Sequence, residues 1–231
     1  MTLSQGTRQP NRRGEGVRLR SDILAAAAKI LDATGDENAV TLRAVARAAG
    51  ISAPSIYAHF ANRQAILLAV VRDAFSELTD HLRAAADPDT NATAQLLATC
   101  DAYLAYATGQ PHRYRIMFGG VWSAAAAIST SAISAADVAD LGQNALQVLR
   151  TRLQACIDAG TSASTNAEDD AVALWLGLHG LAHQRAVSTA FPWPADIAER
   201  VIGPLAQLRP SAPTTDHQIL GTARSGSDKA K

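Results

Sequence analysis

Ser55, Tyr57 and His59 stand out first, because each side chain is short or flat and each can donate or accept a hydrogen bond. They alternate with Ile56 and Phe60, four residues apart, which share one apolar helix face. Such a face suits recognition of another molecule's edges. It carries no nucleophile elbow, phosphate loop or metal set, so bond-breaking chemistry has little support. The elements that must hold these side chains lie in Thr41 to Phe60, TLRAVARAAGISAPSIYAHF. Thr41 is a good N-cap, and Leu42, Val45, Ala46 and Ala49 then form an apolar stripe. Gly50 sits where the chain needs positive φ, and Ile51 can plug the corner. Ser52 is placed to cap a second helix, with Pro54 tolerated in its first turn. Two short helices around a tight turn make a helix-turn-helix pattern, whose second helix can enter a major groove. Helical hairpins buried in a core use the same pattern, so the flanking sequence has to decide.

A second set lies far downstream. His179 and His183 are four apart and share a helix face. Imidazoles at that spacing can bind a metal, but no Glu lies between them and no third ligand is evident. A structural role is preferred, with Trp175 one turn from His179 and with Gly177 and Gly180 letting another helix close in, and the face they share is open to two readings, a pocket wall or a dimer seam. No metal and no cofactor are expected. Tyr103, Tyr106, Met117, Phe118 and Trp122 are the aromatic and soft residues available to line a pocket, although spacing alone makes them core more often than ligand contacts, and only some are expected to line it.

The whole chain of 231 residues can hold one large or two small domains. At 48% hydrophobic and 18% charged residues, it belongs to the globular class. Net charge is zero but uneven. Residues 1–72 carry ten Lys and Arg against five Asp and Glu, a net of +5, and residues 73–231 carry the compensating −5. The basic end holds the helix-turn-helix, which suits a nucleic-acid partner, though ordinary fluctuation gives the same asymmetry. Cys100 and Cys156 have no metal or redox spacing and read as buried thiols in a reducing compartment. Neither a signal peptide nor a membrane span is seen, so a cytoplasmic location is expected.

Residues 1–20 read as a basic arm, able to lie on phosphate or reach into a minor groove, or equally as a solubilising tail. Ser21 is placed to cap the first helix, SDILAAAAKILDATG, which Gly35 ends. Asn62 can cap a long helix carrying Ile66, Leu67, Val70, Val71, Phe75, Leu78 and Leu82 to about Ala86. That helix is too long to serve only the small N-terminal bundle. Ala92 to Thr108 is again helical, and Ala/Ser-rich sequence to Ala136 gives a short helix with loops. Ser134 with Asp137 resembles a capping box, expected to open one long helix closed by Gly160. Asn166 to about Ala190 and Asp196 to Leu208 complete the set, and the tail beyond lacks a core pattern. The fold expected is all-α. Its parts are the arm at 1–20, a DNA-binding domain at 21–66, a ligand-binding and dimerisation domain at 67–208, and a disordered tail at 209–231.

Three helices followed by a long connector and a larger helical domain resemble the TetR family of transcriptional regulators. The resemblance is close from Ile23 to Leu68, where Tyr57, Phe60 and Arg63 match the aromatic pair and basic turn around the family's recognition helix. QPHRYRIMF and the Trp175…His179-Gly180 stretch resemble the WHG-type C-terminal domain of some members. The resemblance implies a homodimer whose last two long helices pair as a four-helix interface, and a small-molecule pocket in each C-terminal domain. It implies phosphate contacts from Thr41, Arg43, Ser52, Tyr57 and Arg63, and base contacts from Ala53, Pro54, Ser55 and His59. Packing is the alternative for Tyr57, and a half-buried, helix-capping role is the alternative for His59. The pocket is expected among Tyr103, Tyr106, Met117, Phe118, Trp122, Trp175 and His179. Its effector is expected to be apolar or aromatic. The function implied is a repressor released from a near-palindromic double-stranded DNA operator. The alternatives are an activator, a global DNA-binding regulator of the same fold, or an all-helical enzyme acting on a small apolar ligand.

Overall fold

The structure, a computed structural model, describes residues 15–120 and 122–210. Helix α1 spans Glu15–Thr34. It therefore begins six residues before Ser21, which lies inside it rather than capping it. Tertiary contact explains the early start. Leu19 packs on the N-terminal core, and the Arg20 guanidinium lies 5.0 Å from the centre of the Phe60 ring. Only Leu19 marks that turn as apolar and inward, too little for periodicity to register. Of the expected arm, residues 1–14 lie outside the described residues.

Helices α2 (Leu42–Ala48) and α3 (Ala53–Ile56) follow a single 3-10 turn. The Thr41 hydroxyl accepts the Ala44 amide at 3.1 Å, the expected cap. Gly50 has φ 67°, and the Ile51 and Gly50 amides reach back to the Ala46 and Arg47 carbonyls. That pair of bonds is a Schellman closure, which needs a residue at ease with positive φ. Ser52 departs from expectation. It holds the N-cap position but makes no side-chain cap bond, and its Oγ lies 2.8 Å from Ser55 Oγ instead. Ile56 and Phe60 are buried as their spacing demands.

Helix α4 (Arg63–Ala84) is capped by Asn62, whose Oδ1 accepts the Ala65 amide at 2.8 Å. It joins two cores. Ile66, Leu67, Val70 and Val71 pack with α1 to α3, whereas Leu78 and Leu82 pack with helices further along the chain. This second core gathers α5 (Ala92–Gly109), α6 (Pro111–Phe118), α9 (Gln143–Asp158), α10 (Ala167–Val187) and α11 (Ile197–Leu205) around Tyr103, Cys100, Leu153 and Leu178. Cys100 is fully buried, and burial pushes its thiol up to about 12.

Between α6 and α9 run two short helices, α7 (Ala124–Ser129) and α8 (Ala135–Ala139). The Ser134–Asp137 capping box forms, but it opens only α8. The single long helix expected from Ser134 to Gly160 is broken at Gly142, with φ 79°. A Cβ there would stand 3.1 Å from the Phe75 ring, so the chain turns tightly beneath that aromatic. Among the described residues there is no strand beyond an isolated bridge from Ser162 to Leu208. Arg209, the first residue of the expected tail, is tied down through its amide to the Thr161 carbonyl and its guanidinium to Gly160; residues 211–231 lie outside the described residues.

Candidate nucleic-acid interface and ligand cavity

The α2–α3 pair offers a mixed surface. Thr41, Arg43, Ser52, Pro54 and Tyr57 are exposed, while Ala53, Ser55 and His59 are half-buried. Tyr57 leaves 62% of its surface to solvent, so the packing reading fails for it. His59 is different. Its ring lies 3.8 Å from where a Cβ on Gly16 would stand, so the first turn of α1 partly covers it. Arg63 turns away from solvent toward the 3-10 turn. Its guanidinium donates to the Glu37 carbonyl at 3.3 Å and Asn38 Oδ1 at 3.2 Å, and pairs with the Glu37 carboxylate at 3.5 Å. A phosphate at Arg63 would have to displace those partners. Arg47 was missed by the sequence reading. It is exposed in the last turn of α2, and its i+4 spacing from Arg43 put it on the same face.

A cavity of about 340 Å³ lies where α4, α6, α9 and α10 meet. That volume falls within the ordinary range of small-molecule sites. Met117, Phe118, Trp122 and Trp175 line it, joined by Phe75 and Leu141. The other expected pocket residues do not line it. Tyr103 is buried in the core behind it. Tyr106 points to α4, where its hydroxyl donates to the Ala74 carbonyl or the Glu77 carboxylate, each at 3.4 Å. His179 stands one layer back, its ring centre 4.7 Å from that of Phe118.

Behind the cavity wall the hydroxyls of Tyr103 and Tyr114 lie 3.1 Å apart, and Tyr114 Oη lies 2.7 Å from His179 Nδ1. Trp175 stacks on His179, and His183 stacks on its other side at 6.5 Å. Burial, then the neighbouring His183, holds His179 below the usual imidazole range, so the neutral ring is favoured. Burial pushes the Tyr114 phenol up to about 12, and it acts only as a neutral hydrogen-bonding group. Sequence reasoning missed Tyr114, whose partner lies 65 positions away. Among the described residues no three His, Cys, Asp or Glu side chains gather to hold a metal.

Comparison with known proteins assigns both halves. Residues 23–70 match the model of bacterial regulatory proteins of the tetR family, and residues 96–205 match the Tetracyclin repressor-like C-terminal domain. The chain belongs to the TetR family. It is a DNA-binding transcriptional regulator. Among solved structures, a protein of unknown function from Rhodococcus sp. RHA1 shares 25% identity at a TM-score of 0.64, over 86% of this chain and 95% of that one. A regulatory protein in the tetR family from Rhodococcus RHA1 shares 21% at 0.58, over 82% and 95%. The fatty acid degradation regulator FadR from Bacillus halodurans shares 14% at 0.61, over 85% and 95%. The last two likenesses speak for the fold alone. No curated protein matches the sequence.

In this TetR regulator, α6 touches both cores. Ile116 is buried among the side chains of α1 and α4, while Met117 and Phe118 face the cavity. The Trp122 indole N–H donates to Gln64 Oε1 at 2.7 Å, a second tie from the cavity wall to the start of α4. Arg113 pairs with Asp73 and Glu77 of α4 at 3.8 and 3.2 Å. None of the described helices is long and apolar enough to cross a membrane.

Proposed function

We propose that this TetR regulator is a dimeric repressor, released from its operator when a small apolar or aromatic molecule occupies the cavity above α6. The observation that carries the reading is the two-sided placement of α6. A ligand pressing on Met117 and Phe118 acts on the helix whose Ile116 sits in the DNA-binding core. Such a ligand shifts the DNA-competent population only by its differential affinity for the two arrangements. The dimer is supported by α10. Leu176, Gly180 and Val187 fall on one stripe, Leu176 and Val187 are 55% and 61% exposed, and a Cβ on Gly180 would meet nothing. That open apolar stripe suits a second copy of the same helix. Gly177, by contrast, serves the protomer itself: a Cβ there would collide with Leu205 of α11.

On DNA, two α3 helices would occupy successive major grooves roughly 34–36 Å apart. Thr41, Arg43 and Ser52 hold phosphates in this reading, with Tyr57 offering its phenol to the backbone. Ala53, Pro54, Ser55 and His59 meet base edges or thymine methyls. Arg63 contributes only if phosphate outcompetes Glu37. Selection of bound sequences from a random duplex pool at two salt concentrations tests the reading. An enriched inverted repeat, bound less tightly as salt rises, is expected. Binding without sequence preference would overturn it, as would an operator complex containing one copy of the chain.

A further inference from the structure

A second cavity of about 340 Å³ lies on the other side of Phe118 from the first. Phe118 lines both, so the two chambers share one aromatic wall, backed by Tyr114 and His179. The chambers differ in chemistry. The inner one is bounded by Val71, Phe75, Leu78, Leu141 and Trp175, with the amide of Gln143 as its polar side chain beside the Trp122 indole already held by Gln64. The outer one has apolar sides from Ala107, Ala182 and Val187, but Arg115, His112 and His183 stand around it and no carboxylate does. Arg115 and His112 are exposed, so the guanidinium charge and an imidazole hydrogen bond are available to an incoming group, whereas His183 lies on the α10 stripe between Gly180 and Val187 that the proposed dimer covers.

Phe118 is the wall between the chambers, its ring packed against Phe75, Tyr114, Trp175 and His179, so joining them requires that ring to turn out of this cluster. It is the last residue of α6, and Gly119 and Gly120 come directly after it, the latter at φ 69° with nothing near its would-be Cβ. Gly119 is required for Arg115 too. A Cβ at 119 would stand 2.4 Å from Arg115 Cγ, so the arginine stem lies directly across that glycine. The guanidinium at its end rests against the turn that closes α1, 3.0 Å from where a Gly35 Cβ would be. Arg115 thus spans from the outer chamber to the DNA-binding core.

We infer that the two chambers form one bipartite site for an amphipathic anion: its apolar body fills the inner chamber past a rotated Phe118, and its carboxylate or phosphate head is held in the outer chamber by Arg115, with His112 beside it. The inference rests on the ligand-binding reading above and narrows it. Charge decides the class. A head bearing a cation would meet only positive or neutral side chains, whereas an anion gains a charge-assisted bond from Arg115. The same bond draws the guanidinium from the Gly35 turn, which gives the ligand a contact that differs between the two states of the regulator.

The test uses the full chain and three straight-chain probes of one length: decanoate, decanol and decylamine. Calorimetry gives each affinity, and quenching of Trp122 and Trp175 reports entry to the inner chamber. Decanoate is expected to bind about tenfold more tightly than decanol, and decylamine more weakly than either. Arg115→Ala should remove the advantage of decanoate and leave decanol unchanged. Ala186→Phe, which fills the outer chamber from an exposed position, should do the same without touching Arg115. Equal affinity for decanoate and decanol, unmoved by either variant, would overturn the bipartite site while leaving a simple apolar pocket standing. Failure of all three probes to bind or to quench would overturn both the bipartite site and the pocket reading for chain-like ligands. Tightest binding of decylamine would reverse the charge assignment and overturn it as well.

Discussion

Tyr57 leaves 62% of its surface in solvent, whereas Tyr114 leaves 8% and joins its hydroxyl to both Tyr103 and His179. The two residues carry the same chemistry and belong to opposite regimes. Around Tyr57 the polar groups find partners within three positions, as Thr41 does with Ala44 and Ser52 with Ser55. Around Tyr114 they find them across the fold. A surface that must meet DNA keeps its donors free, and local caps and turns hold it in shape. A buried cluster has its donors satisfied internally, so its hydrogen bonds also hold the core together. Function and stability should therefore separate cleanly in the first region and not in the second.

The sharpest way to break that contrast is to truncate both tyrosines. Tyr114→Ala is expected to cost about 3–5 kcal/mol, the range for emptying a buried aromatic site. Tyr57→Ala should stay within about 0.5 kcal/mol, as an exposed substitution does. Urea unfolding of each variant reads the difference. Comparable losses at the two positions would mean that Tyr57 is packed in solution and that the exposed surface is not free. A milder change sharpens the point. Tyr114→Phe keeps the ring but leaves the Tyr103 hydroxyl and His179 Nδ1 without their shared partner, at a cost of about 1–3 kcal/mol. A neutral outcome would show that water replaces the hydroxyl and that the wall behind the cavity is wet.

The same contrast explains what could be read from the sequence. The helix-turn-helix was legible because its signals are local: Thr41, Gly50 and the Ile56–Phe60 pair each act within one turn. So was the all-helical class. Which of the aromatic and soft candidates face the cavity was not legible, because spacing cannot say which side of a helix faces a void: Phe118 lines it while Tyr103, Tyr106 and His179 do not. The helix break at Gly142 hid for a related reason. It depends on Phe75, on a helix more than sixty positions earlier. The early start of α1 is set by the Phe60 ring under Arg20, another contact between distant positions.

Capping separates two residues that looked alike in sequence. Thr41→Ala removes a formed bond to the Ala44 amide and should cost about 1 kcal/mol in thermal or urea unfolding. Ser52→Ala removes no cap bond, only the contact with Ser55 Oγ, and should cost no more than a few tenths. Equal costs would show that Ser52 turns to cap α3 in solution, freeing Ser55 for the groove.

The smallest expected change in stability belongs to Tyr57→Phe, and it is the one that separates positioning from reading on the DNA surface. The phenol is exposed, so its loss should leave the unfolding midpoint where it was. If the phenol serves the phosphate backbone, affinity should fall by the same factor on the selected operator and on random duplex. A change at Ser55 or His59 should instead lower operator affinity more than random affinity, because base edges carry the sequence. His59 is the more exacting case, since α1 already covers part of its ring and a groove contact must be made by the remainder. Equal losses on both DNAs for all three variants would mean that α3 positions the protein without reading the sequence, and that specificity lies elsewhere on the surface, with Arg43 and Arg47 of α2 the first residues to substitute.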